Sequence, residues 1–332
     1  MIPAARPATL QDLPAIVALL IEDAGARNSL DPILWRVAGN ASTRIETAAG
    51  AVLNGLQAVG QELWFVAEQA GRIVAVMHAM LVPVPPIYDG SAGHPGLLLD
   101  DCFVSPDAPL GTGEALLAAT EAALTAAGAP RLIASCPAAA PLRTLYEQRG
   151  YEPVTLYMAK HGLKAQATPS GVRSASTDDI SSIVRHSSQH RRTLAEINSR
   201  FWHIHPQADT RFGAWMHRSL NFKDRDVLVA TAGGEVRGYA VAQPIAPLLV
   251  PIAHEIEAIG VIDDFYDLDF AEVSALATNG TSGASLLAAA ESAFARRGIH
   301  SALVVCPAGW PSKISLLKQR GYRTAKIWML RR

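Results

Sequence analysis

Leu98-Leu99-Asp100-Asp101-Cys102-Phe103-Val104-Ser105-Pro106, continued by Leu110-Gly111-Thr112-Gly113-Glu114-Ala115-Leu116-Leu117, is the stretch on which the fold turns. An apolar run reads as a strand and delivers the chain to a Gly-rich turn. The turn opens the amphipathic segment from Thr112 to Ala127, which reads as a helix. Exposed N–H groups in such a turn, together with the positive end of the helix, suit phosphate oxygens, and the glycines let a ligand approach the backbone. A lone Gly-x-Gly is weak evidence. Here it is followed by Leu145-Tyr146-Glu147-Gln148-Arg149-Gly150-Tyr151, which gives it weight.

The chain repeats itself around this stretch. Leu116-Leu117, Glu121, Gly128 and Cys136-Pro137 recur at an offset of 170 residues as Leu286-Leu287, Glu291, Gly298 and Cys306-Pro307. Arg149-Gly150-Tyr151 recurs as Arg320-Gly321-Tyr322, and Asp100-Asp101 recurs as Asp263-Asp264 at an offset of 163. A period this long is a duplicated domain, not a solenoid unit. The segment His161 to Gly171 has linker chemistry, so the expected domains are residues 1–163 and 170–332.

Both halves read in one order. In the first, Thr9 with Asp12 behind it caps a helix carrying Leu13, Ile16, Val17, Leu20 and Ile21, and Ile45 to Leu56 forms a second helix. Trp64–Glu68 and Ile73–Leu81 make a hairpin across Ala70-Gly71. A Pro-rich loop, Val82 to Gly96, leads to the strand Leu97–Val104. Helix, strand Arg131–Cys136, helix Leu142–Arg149 and a closing strand Tyr151–Lys160 follow. In the second half Thr177 caps the first helix, Val227–Thr231 pairs with Val236–Ala242, and Ala258–Tyr266 is the acidic strand. Helix Ser282–Arg297, strand Ala302–Cys306, helix Ser312–Arg320 and strand Tyr322–Leu330 complete it.

Composition narrows the function classes. With 332 residues, 49% hydrophobic and 18% charged, each half can bury a full core. Lys+Arg 29 against Asp+Glu 30 leaves a net charge of -1, which argues against a nucleic-acid or anionic-membrane surface. No apolar run approaches a membrane span, and Asp12 and Pro14 interrupt the N-terminal apolar stretch, so no signal peptide is read and a cytoplasmic location is expected. Cys102, Cys136 and Cys306 are spread too widely for a metal cluster and read as buried thiols. His203 and His205 bracket Ile204 in a spacing unsuited to two ligands on one helix face. No metal is expected, and the run His186, His190, His203, His205 reads as an exposed or substrate-lining face.

With these motifs in hand, the sequence resembles the GNAT N-acetyltransferase superfamily over essentially its whole length, as two tandem copies. The resemblance implies an α+β fold, each domain a mixed, mostly antiparallel sheet flanked by helices. It implies acetyl-CoA as cosubstrate, lying where the acidic strand parts from the next, with its pyrophosphate on the Gly-rich turn. The residues this assigns to the cosubstrate are Cys102, Phe103, Val104, Leu110, Gly111, Thr112, Gly113 and Glu114. Tyr146 matches the family's general acid, which protonates the departing thiolate. Asp100-Asp101 resembles the acidic pair that draws a cationic amine and accepts its proton. Neighbouring strand residues face opposite sides, so one of the pair takes the role; Asp100 is the closer match, and a bulge would reverse the choice.

The departures are informative. Ala108, followed by Pro109, stands where the turn should begin with Arg or Gln, and Ala139 replaces an Asn common before the tyrosine helix. In the second half Thr281-Ser282-Gly283 replaces Gly111-Thr112-Gly113, Leu317 replaces Tyr146, and Asp267 to Ala277 adds residues before the turn, where Asn279-Gly280 could still offer backbone donors. Leu317 also shows that an apolar side chain fits the Tyr146 position. The expected function is acetyl transfer from acetyl-CoA to a small cationic primary amine in the N-terminal half, the other half being degenerate. The alternative is a non-catalytic acyl-CoA sensor or structural pseudoenzyme. The acceptor is open among amino acid, polyamine, aminoglycoside and protein N-terminus, with the loop Pro85–His94 expected to wall its pocket and the region of Asn28, Asp31 and Trp35 to close it. The tandem arrangement is expected to act as a built-in dimer, or to form a homodimer.

Overall fold

The structure, a computed structural model, describes residues 3–55, 61–277 and 280–332. The first half runs β1 (Ala4–Pro7), a 3-10 turn, α1 (Leu13–Leu30), α2 (Ala41–Leu53), β2 (Glu62–Gln69), β3 (Arg72–Leu81), β4 (Gly96–Leu98), β5 (Phe103–Val104), α3 (Thr112–Ala126), β6 (Leu132–Pro137), α4 (Pro141–Gln148) and β7 (Tyr151–His161). The second runs β8 (Val172–Ser174), a 3-10 turn, α5 (Ile180–Ile197), α6 (Ala208–Ser219), β9 (Asp226–Ala232), β10 (Glu235–Pro244), β11 (Ile259–Asp267), α7 (Thr281–Arg296), β12 (Ser301–Pro307), α8 (Pro311–Gln319) and β13 (Arg323–Arg331). This is the α+β architecture read from the sequence, repeated once. The expected helix end at Leu56 lies outside the described residues.

Two local signals are duplicated to the atom. Thr9 donates its N–H to Asp12 Oδ2 at 2.8 Å, and Arg6 holds the same carboxylate through two guanidinium nitrogens at 2.7 and 2.9 Å. In the second half Ser176, and not Thr177, is the capping residue. It donates to Asp179 Oδ2 at 2.8 Å while Arg173 holds that carboxylate. A carboxylate three residues after the cap satisfies the orphan N–H that a helix start leaves.

The strands of the described residues join one sheet in the order β1-β2-β3-β4-β6-β13-β7-β12-β11-β10-β9-β8, with β5 beside β3. The last strand of each half is exchanged. β13 pairs with β6 through Ile327↔Cys136, and β7 pairs with β12 through Tyr157↔Val305. The two exchanged strands pair with each other at the centre. Neither half completes its sheet alone.

The loops between β3 and β4 and between β10 and β11 are exchanged as well. Asp89 donates its N–H to His203 O at 2.7 Å, and Tyr88 bridges Ile204, so the Pro-rich loop of the first half covers the second. In return Val37 bridges His254, and Ala38 donates to Ala253 O at 2.9 Å. The loop 85–94, expected to wall the acceptor pocket, is thus bonded to the second half. One apolar cluster accordingly mixes Met80, Val82, Leu97 and Leu99 with Ile183, Phe212 and Tyr239.

Candidate active site

In each half the sheet parts at one place. β4 runs parallel to β6 over Gly96↔Leu132, Leu97↔Ile133 and Leu98↔Ala134, and there the ladder ends. The chain then bulges away: Ala79 pairs with Leu98 but Val76 pairs with Phe103, so Met77 and His78 face the four residues 99–102. A bulge bends its strand and re-aims side chains. Among the described residues β5 is bonded only to β3, so its other edge has no partner strand. The second half has a milder version, in which Val241 pairs with Asp264 and Ala242 with Ile262, leaving Asp263 unpaired.

At the far end of the N-terminal parting lies the glycine turn. Gly111 takes φ +88°, a left-handed conformation that favours glycine, and starts α3. Thr112 Oγ1 donates to Pro109 O at 2.6 Å and steadies the turn. The N–H groups of Gly111, Gly113 and Glu114 have no acceptor among the described residues. Gly113 is needed for closeness, since a Cβ there would meet Leu145 Cδ2 at 3.1 Å. Leu110 is 96% exposed at the tip and Glu114 is exposed beside it.

Tyr146 on α4 is fully buried, and its hydroxyl has no hydrogen-bond partner among the described residues. Its ring lies 5.6 Å from that of Tyr151. Burial, with Cys102 and Cys136 nearby, holds its pKa well above that of a free phenol. An enclosed phenol without a partner is costly, by ~1–3 kcal/mol, and therefore calls for one. Cys102 is likewise enclosed; its thiol donates to Leu99 O at 3.2 Å, and burial pushes it up to about 12. Phe103 and Val104 form β5.

The two aspartates separate. Asp100 is buried and held from three sides: by Lys326 of β13, by Ser135 Oγ at 3.1 Å, and by Arg27, whose Nη2 also donates to the Asp100 carbonyl at 2.5 Å. Arg27 is itself tied to Asp23 at 2.6 Å, and burial nonetheless raises Asp23 to about 6. Asp101 accepts the N–H of Ile252, from the exchanged loop, at 2.9 Å. Its Oδ2 lies 3.6 Å from His78 Nδ1, and His78 Nε2 is 3.3 Å from Glu62. The His78 ring stacks on Trp64 with centroids 3.9 Å apart. Burial alone would lower the pKa of His78, but Asp101 and Glu62 outweigh it and raise it.

The structure places the aspartates, the turn and the tyrosine expected from the sequence around one parting of the sheet, and sets Glu62, Trp64, His78, Arg27 and Lys326, which the sequence reading does not assign to the site, beside the aspartates. His78 and Glu62 look like ordinary strand residues until β2 and β3 are paired. No sequence signal links Lys326 to Asp100. The expectation for the histidine run is corrected for two of its four members, while His203 is exposed. His186 and His190 are buried, His186 bonded to Val236 O at 2.8 Å and His190 to Asp264 at 3.0 Å, because α5 turns that face onto the sheet. Among the described residues no His/Cys/Asp/Glu cluster could hold a metal ion, and no helix is long and apolar enough to cross a membrane.

No protein-family model and no curated protein sequence matches the chain. Solved structures do. A GCN5-related N-acetyltransferase from Sphaerobacter thermophilus matches with a TM-score of 0.55 at 17% identity, over 100% of this chain and 96% of that one. A tandem GNAT protein from the clavulanic acid biosynthesis pathway gives 0.49 at 14% identity, over 98% and 97% of the two chains. An acetyltransferase from the GNAT family of Colwellia psychrerythraea gives 0.48 at 10%, over 98% of each. A likeness across the whole length of the Sphaerobacter protein, two copies of one element order, and a sheet that parts beside a glycine turn in the first copy lead to one conclusion: this chain carries the GNAT fold, twice in tandem.

Proposed function

We propose that the N-terminal half transfers an acetyl group from acetyl-CoA to a small cationic primary amine by direct attack. The single observation that carries the reading is the buried, unpartnered hydroxyl of Tyr146 beside the parting of the sheet. The fold shared with a named N-acetyltransferase supports acyl transfer in general. The residues fit the cosubstrate: α3 offers free N–H groups for the diphosphate at Gly111, Gly113 and Glu114, and Leu110 offers an exposed apolar surface. With Ala108 and Ala139 in place of polar residues, binding rests mainly on the backbone.

Acetyl-CoA supplies a thioester carbonyl and a thiolate leaving group. The amine nitrogen must lose a proton to attack, a C–N bond forms, and the C–S bond breaks. Tyr146 donates a proton to the sulfur, a contribution of roughly 10²–10⁴-fold. Asp100 is engaged by Lys326, Arg27 and Ser135 and keeps the bulge in shape. Asp101 takes the amine proton, the reversal that the bulge allows, and His78 with half-buried Glu62 lies beyond it toward solvent.

A second reading, an acyl-CoA-binding protein without turnover, is favoured by the engagement of Asp100 with Lys326, Ser135 and Arg27, which takes one of the two acids out of proton transfer. Incubation with acetyl-CoA and a panel of amines, read by mass spectrometry, separates the two. Acetylated amine is expected. CoA binding in calorimetry with no product would establish the second reading, and neither binding nor product would remove both.

A further inference from the structure

We infer that the C-terminal half is closed to an acyl-CoA by side chains of its own, so that each chain takes one such ligand, in the N-terminal half. The inference rests on the acyl-CoA reading above and adds which of the two copies is available to it.

Three contacts carry it. The first is at the start of α7, the counterpart of α3. There Gly283 N–H is already bonded to Asp269 Oδ2 at 3.0 Å, and Ser282 Oγ donates to Asp267 Oδ2 at 2.8 Å. Asp269 N–H donates to Asp267 Oδ1 at 2.9 Å, which fixes the two carboxyls together. A carboxylate at a helix N-terminus satisfies the free N–H groups and the helix dipole, which is the task a diphosphate would perform. Both acids lie at the start of the segment 267–277, across which the offset between the halves rises from 163 to 170, so that this connection is longer than that of the first half. An incoming diphosphate would have to displace a tethered anion and sit against it.

The second contact is on the strand edge. Lys313 of α8 stands where α4 has Leu142, is buried, and donates from Nζ to the main-chain oxygen of Phe265 at 2.7 Å. Phe265 matches Cys102 of the first half at the same offset of 163 that relates the aspartate pairs. The ammonium is enclosed by the rings of Phe265, Phe270 and Trp310 at 5.4–5.6 Å. An edge that an extended ligand arm would use for main-chain bonding is thus occupied.

The third contact closes the mouth. Trp310 Nε1 donates to Phe270 O at 2.9 Å, Ser312 Oγ to the same oxygen at 3.2 Å, and Ser312 N–H to Val273 O at 3.0 Å. These bonds tie the inserted segment to α8 across the gap between β11 and β12. In the first half no hydrogen bond joins the turn 105–111 to α4 among the described residues.

Calorimetric titration of the intact chain with CoA tests this, supported by hydrogen exchange at the two helix starts. One equivalent is expected, with the N–H groups of Gly113 and Glu114 slowed by CoA and that of Gly283 unchanged. Leu110→Glu and Thr281→Glu put a carboxylate at exposed positions beside α3 and α7. The first should weaken binding by about tenfold through like-charge repulsion, and the second should leave it unaltered. Two equivalents in the unmodified chain would overturn the inference, as would loss of binding in Thr281→Glu with Leu110→Glu unaffected. Absence of any binding would overturn the inference together with the acyl-CoA reading, whereas two equivalents would overturn the inference and leave that reading standing.

Discussion

Lys326, on the last strand of the chain, forms a buried ion pair with Asp100, in the bulge of the first half. Its ammonium also donates to Leu249 O at 2.8 Å and lies 5.4 Å from the ring centre of Tyr157. The corresponding position of the first half is Thr155, so β7 offers the exposed Asp263 no such cation. Removing one member of a buried pair strands the other, at about 3–5 kcal/mol. Lys326→Met should therefore destabilise the chain by that amount in urea unfolding. Lys326→Met with Asp100→Asn should cost clearly less than the sum of the single changes. Additive losses would mean that the two residues do not communicate.

Tyr146→Phe separates chemistry from packing. The ring stays and an unpartnered hydroxyl leaves, so stability should hold or rise by about 1 kcal/mol. Turnover should fall roughly 10²–10⁴-fold with CoA affinity retained. Calorimetric unfolding and initial rates measure both. A variant that loses stability would point to a hidden partner for the hydroxyl.

Asp267 makes a prediction about pH. Burial raises its folded pKa to about 7 against the opposing bonds from Asp269 and Ser282. A carboxyl whose pKa rises on folding binds its proton more tightly when folded. Its contribution is complete below the unfolded value of about 3.9 and is lost as pH climbs through 7. Asp267→Asn mimics the protonated form and should exceed the unmodified chain by about 2 kcal/mol at pH 8, the gap closing toward pH 4. Urea midpoints across that range provide the measurement.

The paired caps respond in the opposite sense. Arg6 and Arg173 hold Asp12 and Asp179 down to about 2, so their contribution is present above the unfolded value and disappears as pH falls from about 4 toward 2. Asp12→Asn and Asp179→Asn should each cost about 1–2 kcal/mol at pH 7, and less than half of that at pH 2.5. Equal losses at the two pH values would show that the charge is irrelevant to the cap.

His78 supplies a further pH readout. Its pKa rises on folding, so its share of stability is present below the unfolded value of about 6.5 and is lost as pH rises through the folded one. His78→Phe keeps a ring against Trp64 and discards the link between Asp101 and Glu62. The variant should fall further behind the unmodified chain at pH 6 than at pH 9, and should acetylate amines more slowly without weaker CoA binding.

Much of this was legible in the sequence because the signals are local. The glycine turn, the Thr9–Asp12 cap and the hairpin at Ala70-Gly71 are decided within a few residues, and the internal repeat supplies a second copy to read them against. The strand expected over 97–104 instead breaks after Leu98, since four residues must fit opposite two. What escaped is long-range. β7 is buried along most of its length, so its pattern does not reveal whose strand it joins. Lys326 reads as a surface residue in β13 until Asp100 is placed against it. The Pro-rich loop carries no mark of the half it will cover.

The exchange of β7 and β13 gives the linker an unexpected standing. With each half contributing the strand that borders the other's β6 or β12, the two are woven together by main-chain hydrogen bonds, whether or not residues 162–171 connect them. A protease cut within that exposed segment would leave two fragments that migrate as one particle and part only on unfolding. During synthesis the same weave imposes a delay: β6 keeps a bare edge until β13 has emerged, so the first half stays open to wrong partners until nearly the last residue of the sheet is made.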